Sequence, residues 1–407
     1  MNRRSSPPPC DLDTLKDAWQ RGHTSQSSDR ALTLKCKLVT PLYGGGVEAG
    51  EVDKDLPIRA SSIRGQLRFW WRIACGGEDR ERSERLFKRE QAIWGGIGAE
   101  GPVASRVRVQ VRRPQTPRPK LIGAQGLKLD YALFPAISDG AELAESGIEF
   151  YLTVSFAADL AEPARDEVRM ALRWWASFGG VGARTRRGLG AVEVESLVPV
   201  DADEVEDAGG RLCLGRQAPD ARSGHERAVG LLKCFRQDEG VGRNHGSKKC
   251  PGRSCWPEPD AIRQLSGCSS RDHAKPFVDY EPVFPRAAFG LPIVFDFKGR
   301  GEPSGFVLEP ADLEKEKRER MASPLILRPY RDAQGRWRPA ALLLPGWEQA
   351  LNQSLKFSSS TTDKNRPQPW PADPQDRARL AEQVKPLKAT GQTDALRAFM
   401  AFFEQEA

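Results

Sequence analysis

Twelve residues, Gly179–Gly190 (GGVGARTRRGLG), hold five glycines and three arginines, Arg184, Arg186 and Arg187. Glycine allows a backbone to lie close against a ligand. The arginine guanidinium is a planar fork of donors that suits phosphate. Together they predict a loop that follows an anionic backbone, with Gly180, Gly182, Arg184, Thr185, Arg186 and Arg187 as contacts. The competing reading is a turn whose arginines serve only the fold, and three arginines in so short a loop weigh against it. The loop is not a dinucleotide fingerprint. Thr185 stands where G-x-G-x-x-G needs its third glycine, and the loop leads into strand-like AVEVESLV rather than a helix. No G-x-x-x-x-G-K-[ST] occurs, which excludes a P-loop NTPase.

A second basic group precedes it. Arg59, Arg64, Arg68 and Arg72 fall within residues 59–72 with no acid among them. Residues 61–75 have helical spacing, which puts Arg64, Arg68 and Arg72 on one stripe and Ile63, Leu67, Trp70, Trp71 and Ala74 on the buried side. Ser61 or Ser62 is the expected N-cap. With no acid at i±4 of Arg64 or Arg68, Arg59, Ser61, Ser62, Arg64 and Arg68 are candidate phosphate contacts. The Trp70-Trp71 and Trp174-Trp175 pairs suit base stacking, but core burial is favoured for most of them. A third basic run holds Arg106, Arg108, Arg112, Arg113, Arg118 and Lys120.

Hydrolytic chemistry is thinly supplied. The histidines, His23, His225, His245 and His273, sit in no H-E-x-x-H or G-x-S-x-G context. Asp53 and Asp55 lie in a long loop and read as exposed acids rather than an assembled acid–base pair. Cys250, Cys255, Cys268 and His273 have C-x4-C-x12-C-x4-H spacing, tolerable for zinc, although the first pair is looser than C-x2-C. No other cofactor is expected.

The elements that must position these residues follow from periodicity. Residues 31–42 alternate as a strand, 82–94 suit a short helix, and 103–111 and 147–156 alternate again. Residues 163–178 are helical, and 190–197 read as a strand. This is the βαββαβ order of a ferredoxin-like (RRM-like) domain. Arg68-Phe69-Trp70-Trp71 before Gly76-Gly77 is echoed by Arg173-Trp174-Trp175 before Gly179-Gly180; an internal repeat and chance both account for it. At 407 residues two domains are expected: a flexible arm 1–30, a first domain 31–200 with the glycine-rich loop, and a second α+β domain 201–407. In the second, 260–265 read as a helix, 287–297, 323–328 and 340–344 as strands, and 376–405 as helical. The formal charge of +7 is modest, but its clustering favours a polyanionic partner. No apolar run suits a membrane span. The absence of an export signal and the scattered cysteines favour a cytoplasmic setting.

LVTPLYGGG (38–46), PIRASSIRGQLRFWWR (57–72), Ile93-Trp94-Gly95 and FGGVGARTRRGLGAV (178–192) together resemble the RAMP superfamily of CRISPR proteins. More narrowly they look like the family that supplies the first subunit of the Cmr (type III-B) effector complex. GRSCWPEPDAIR (252–263), FPRAAFGLPIVF (284–295) and ASPLILRP (322–329) extend the resemblance. It implies two ferredoxin-like domains packed together and a non-catalytic subunit that holds the 3′ part of the guide RNA (crRNA). It also implies help in engaging single-stranded target RNA in antiviral defence, beside other Cmr subunits, with target cutting done elsewhere in the complex. The alternative is a metal-independent, RAMP-type endoribonuclease that processes the guide.

Overall fold

The structure is a computed structural model. It describes residues 30–407 apart from 49, 78, 80–82, 100, 114–117, 126, 139, 248–251, 269–272, 274, 313–316 and 359–366. The arm 1–29, His23 and Cys250 lie outside the described residues.

Strand β1 (Ala31–Leu38) buries Leu34, Cys36 and Leu38 and exposes Thr33, Lys35 and Lys37. Helix α1 (Ala60–Cys75) starts one residue before the expected position, with Arg59 as its uncapped N-cap, so Ser61 and Ser62 lie inside its first turn. Helix α2 (Ser83–Trp94), strand β2 (Val107–Arg112), helix α3 (Asp130–Ser138), strand β3 (Glu149–Phe156), helix α4 (Glu162–Phe178) and strand β4 (Val192–Glu193) follow. The sheet is antiparallel in the order β2-β3-β1-β4, the ferredoxin-like arrangement. Strand β4 is far shorter than the apolar run 190–197, because the chain turns after Glu193, with Leu197 N donating to Val194 O at 3.2 Å.

Helices α1 and α4 cover one face of this sheet. Trp70, Trp71, Trp174 and Trp175 are all buried between them. The Trp70 and Trp174 rings lie 6.1 Å apart, and Trp70 stands at the same distance from Phe178. These aromatics are therefore core, each contributing roughly 2–3 kcal/mol by burial, and none is free to stack on a base.

Beyond residue 200 come β5 (Arg211–Leu214), α5 (Ala221–Gln237), α6 (Glu258–Ser266), β6 (Ile293–Phe295), β7 (Phe306–Pro310), β8 (Leu325–Arg331), β9 (Trp337–Leu343), β10 (Leu355–Phe357), α7 (Pro374–Ala381), α8 (Lys385–Thr390) and α9 (Ala395–Glu406). Strands β8, β9 and β5 form a second antiparallel sheet in that order, and β6, β7 and β10 a third. The series β5-α5-β8-β9-α9 repeats the ferredoxin-like element order; a fourth strand beside β5 is not seen among the described residues. The apolar run 287–297 divides into a 3-10 turn, Pro285–Phe289, and strand β6. The helical spacing of 376–405 is cut into three helices. Pro386 opens α8, and Gly391, at φ +65°, ends it.

The halves share a core. Ile326, Tyr330, Ala340 and Leu342 pack in one cluster with Trp70, Trp174 and Phe178, and Phe178 stacks on Tyr330 at 5.9 Å. The loop 179–190 thus lies on the seam between the two sheets.

Candidate nucleic-acid interface

The glycines of the loop admit the protein's own chain. A Cβ at Gly182 (φ +81°) would stand 2.5 Å from Leu42 Cδ1 and 2.6 Å from Tyr43 O. One at Gly188 (φ +77°) would stand 2.6 Å from His225 Nε2 and 2.8 Å from Leu327 O. Gly180 meets Gly190 O in the same way, at 2.7 Å. Real side chains do not fit at such distances, so close packing is reason enough for these glycines.

The arginines reach across the seam. Arg187 donates from Nη1 to Leu325 O at 2.8 Å and from Nη2 to Phe289 O at 3.2 Å. Arg186 donates to Ser323 O and lies over the Phe69 ring, 5.5 Å from its centroid. Arg184, in the left-handed conformation at φ 58°, donates to Ala132 O at 2.8 Å and faces Tyr43. Thr185 O accepts from Gly188 N at 2.9 Å and closes the turn. Burial pushes the Arg187 pKa down to about 10, and the neighbouring Arg236, Arg186 and Arg184 add to that. Burial lowers Arg184 and Arg186 as well, and Arg320 presses on Arg184.

Two arginines that sequence reasoning missed complete the site. Arg236, on α5, lies over Tyr131 and Phe289, and among the described residues its buried Nε has no partner. Arg286 holds Glu258 at 3.0 Å. Among the described residues no carboxylate pairs with Arg184, Arg186, Arg187, Arg236 or Arg320. The result is a concentration of positive charge at the seam with Glu258 as its paired acid. Arg236 was missed because Gly224 and Gly230 interrupt the helical spacing of α5.

Arg328 was missed too. It is 3% exposed and donates to Gly179 O at 2.7 Å, Val192 O at 3.1 Å and Pro329 O at 2.8 Å. Burial drives its pKa down to about 9. Its three carbonyl partners lie on both sides of the seam.

The helical arginine stripe is paired within the fold. Arg68 Nε donates to Glu90 Oε1 at 2.6 Å, and Arg72 grips both Glu90 oxygens at 2.7 and 2.8 Å. Arg64 donates to Trp94 O. Burial alone would raise Glu90, but the bonds from Arg72 and Arg68 outweigh it and hold the carboxyl below its ordinary value. The stripe expected to face phosphate carries a counter-charge from the next helix, which a search along α1 alone does not reach. Arg59 is also engaged, donating to Gly45 O and to Gly46 O at 3.1 Å. It holds the loop 44–46 against the glycine loop, where a Cβ on Gly44 would lie 3.2 Å from Ala183 Cβ. Ser61 and Ser62 stay exposed in a first turn that carries no acid.

The acid–base candidates are occupied. His225 is buried on α5, and because its Nε2 lies 2.6 Å from Arg187 O, which can only accept, that nitrogen carries the proton. Burial pushes its pKa down to about 4, so it is neutral. Asp53 accepts from Leu56 N at 2.8 Å and Asp55 N at 3.0 Å, which keeps it ionised. Asp55 pairs with Arg118 at 2.9 Å. Of the cysteine group, buried Cys255 donates to Asn244 Oδ1 at 3.4 Å, Cys268 is exposed, and His273 Nδ1 faces Glu302 at 3.3 Å. Among the described residues no group of three or more His, Cys, Asp or Glu suits a metal ion. No helix of those residues is long and apolar enough to cross a membrane.

With this geometry in place, residues 35–193 match the RAMP superfamily profile, a span that coincides with the first sheet and its helices. Over this span the chain is similar to the RAMP superfamily. Over 176 residues the chain is 24% identical to the CRISPR system Cmr subunit Cmr1-2 of Pyrococcus furiosus, covering 39% of this chain and 92% of that relative. The apo crystal structure of Cmr1 from Pyrococcus furiosus aligns at 16% identity and TM-score 0.46, over 82% of this chain and 91% of that one. A chain of a type III-B Cmr-beta complex bound to cognate target RNA aligns at 11% identity and TM-score 0.43, over 88% of this chain and 99% of that one.

Proposed function

We propose that the chain is an RNA-binding, non-catalytic subunit of a type III-B CRISPR (Cmr) effector complex, holding the 3′ part of the guide RNA and helping engage single-stranded target RNA. The observation that carries this reading is the uncompensated arginine cluster at the seam of a domain similar to the RAMP superfamily. Like charges held this close repel, and a phosphate backbone relieves that repulsion while releasing counterions. Arg184, Arg236 and Arg320 supply the charge. Ser61, Ser62 and the free amides of the α1 first turn suit a phosphate, beside the loop 44–46. Arg59, Arg64, Arg68, Arg186 and Arg187 with Gly180, Gly182 and Thr185 shape and brace this surface. Guide–target pairing, not the protein, reads sequence.

The occupied acid–base candidates support a non-catalytic role. Purified full-length protein is mixed with labelled single-stranded RNA without divalent metal. Salt-sensitive binding with intact RNA is expected. Cleavage that survives repurification and is lost in Asp53→Ala or Asp55→Ala would instead establish the endoribonuclease. In a reconstituted complex, a photoreactive group at the guide 3′ end is expected to mark this subunit; marking only of other subunits contradicts the assignment.

A further inference from the structure

The seam leaves the open face of the first sheet unaccounted for. Helices α1 and α4 cover the face that carries Leu34, Phe150, Leu152 and Val154. On the opposite face Lys35 and Arg112 stand directly across from Tyr151 on its two sides. The Arg112 guanidinium lies over the Tyr151 ring, 4.9 Å from its centroid. In the next row Thr33 and Gln110 flank Thr153, with the two threonine hydroxyls 3.1 Å apart. Arg108 stands opposite Ser155 in the row beyond. At the other end Lys37 sits between Glu149 and Glu193. Glu193 is already engaged by Arg331 at 2.6 Å, and Glu149 by Lys35 at 3.2 Å.

This is a polar, net-positive platform with one aromatic ring at its centre. Arg108, Gln110, Arg112, Thr33, Lys35 and Lys37 are all exposed. An apolar protein partner finds little to bury here. A single-stranded nucleic acid finds a ring to stack on, hydroxyl and amide groups for base edges, and cations at both ends for phosphates. We infer that the open face of β2-β3-β1 is a second RNA contact, with a base stacked against Tyr151 and Arg112 and flanking phosphates met by Lys35 and Arg108. The charge of the face selects this occupant. The inference rests on the reading of the chain as an RNA-binding protein, extended to a surface remote in sequence from the glycine loop.

The test uses full-length protein and a short single-stranded RNA carrying the fluorescent base 2-aminopurine. Stacking quenches its emission on binding. Tyr151→Ala is expected to abolish the quench and weaken binding about tenfold, while Tyr151→Phe keeps both. Arg108→Ala with Arg112→Ala serves as an independent variant should Tyr151→Ala fold poorly, and is expected to weaken binding and flatten its salt dependence. If these variants bind and quench as the parent does while Arg236→Ala and Arg320→Ala weaken binding, the sheet inference fails and the seam reading stands; that is also the result expected if the face docks another protein. If the parent protein binds no RNA, both readings fall.

Discussion

Arg328 Nη1 donates to Gly179 O at 2.7 Å, from β8 of the second sheet to the first residue of the glycine loop. With its bonds to Val192 and Pro329 this guanidinium satisfies carbonyls on both sides of the seam, and among the described residues it has no carboxylate partner. A buried arginine held by carbonyls is expensive to place and more expensive to remove, because the carbonyls would then lack donors. Arg328→Met is expected to destabilise the protein by roughly 2–4 kcal/mol, read as a lowered denaturant midpoint. Arg328→Lys is expected to recover little, since an ammonium cannot span three carbonyls.

The Glu90 fork makes a contrasting prediction. Glu90→Gln leaves Arg68 and Arg72 without their carboxylate and is expected to cost roughly 3 kcal/mol in denaturation. Arg68→Ala is expected to destabilise likewise, with the salt slope of RNA binding unchanged. A reduced slope would restore Arg68 to the phosphate-facing role its spacing suggests.

Acid should loosen the seam through His225. Its folded pKa of about 4 lies below the ordinary histidine value of 6.5, so the unfolded chain binds the proton more readily between those values. Stability is then full above the unfolded pKa and falls as pH drops through this window, by about 3 kcal/mol once both values are passed. His225→Gln, which keeps a donor for Arg187 O, is expected to flatten the dependence of the denaturation midpoint on pH between these values. An unchanged pH profile would show that the imidazole is not the group titrating.

Much of this architecture is legible in the sequence because it is local. Alternation gives β1, β2 and β3, and helical spacing gives α1 and α4. What the sequence hides is partnership. Glu90 lies on a neighbouring helix, Ser323 and Leu325 more than a hundred positions from Arg186 and Arg187. The arginines of the glycine loop and of α1 therefore look free when read along the chain. Helix α5 escapes notice because Gly224 and Gly230 interrupt it, yet Asp220 caps it by accepting from Ser223 N at 2.7 Å. The Cys255 group stays a spacing argument, since Cys250 lies outside the described residues.

The glycine loop yields a packing prediction of its own. Gly188→Ala places a methyl group against His225 and Leu327 O at a positive φ, and is expected to cost roughly 1–3 kcal/mol. Measured beside it, Arg187→Ala should lower thermal stability more than it changes RNA affinity at a temperature where both proteins are folded.

The most direct measurement is the salt dependence of single-stranded RNA binding by the parent protein, Arg236→Ala, Arg320→Ala and the double variant, followed by fluorescence anisotropy. If the uncompensated cluster at the seam meets phosphates, each single variant lowers the slope of log affinity against log salt by about 0.7 and the double variant by about twice that. A double variant with the parent's affinity and slope, its fold intact, would contradict the account and leave the cluster as part of the fold alone.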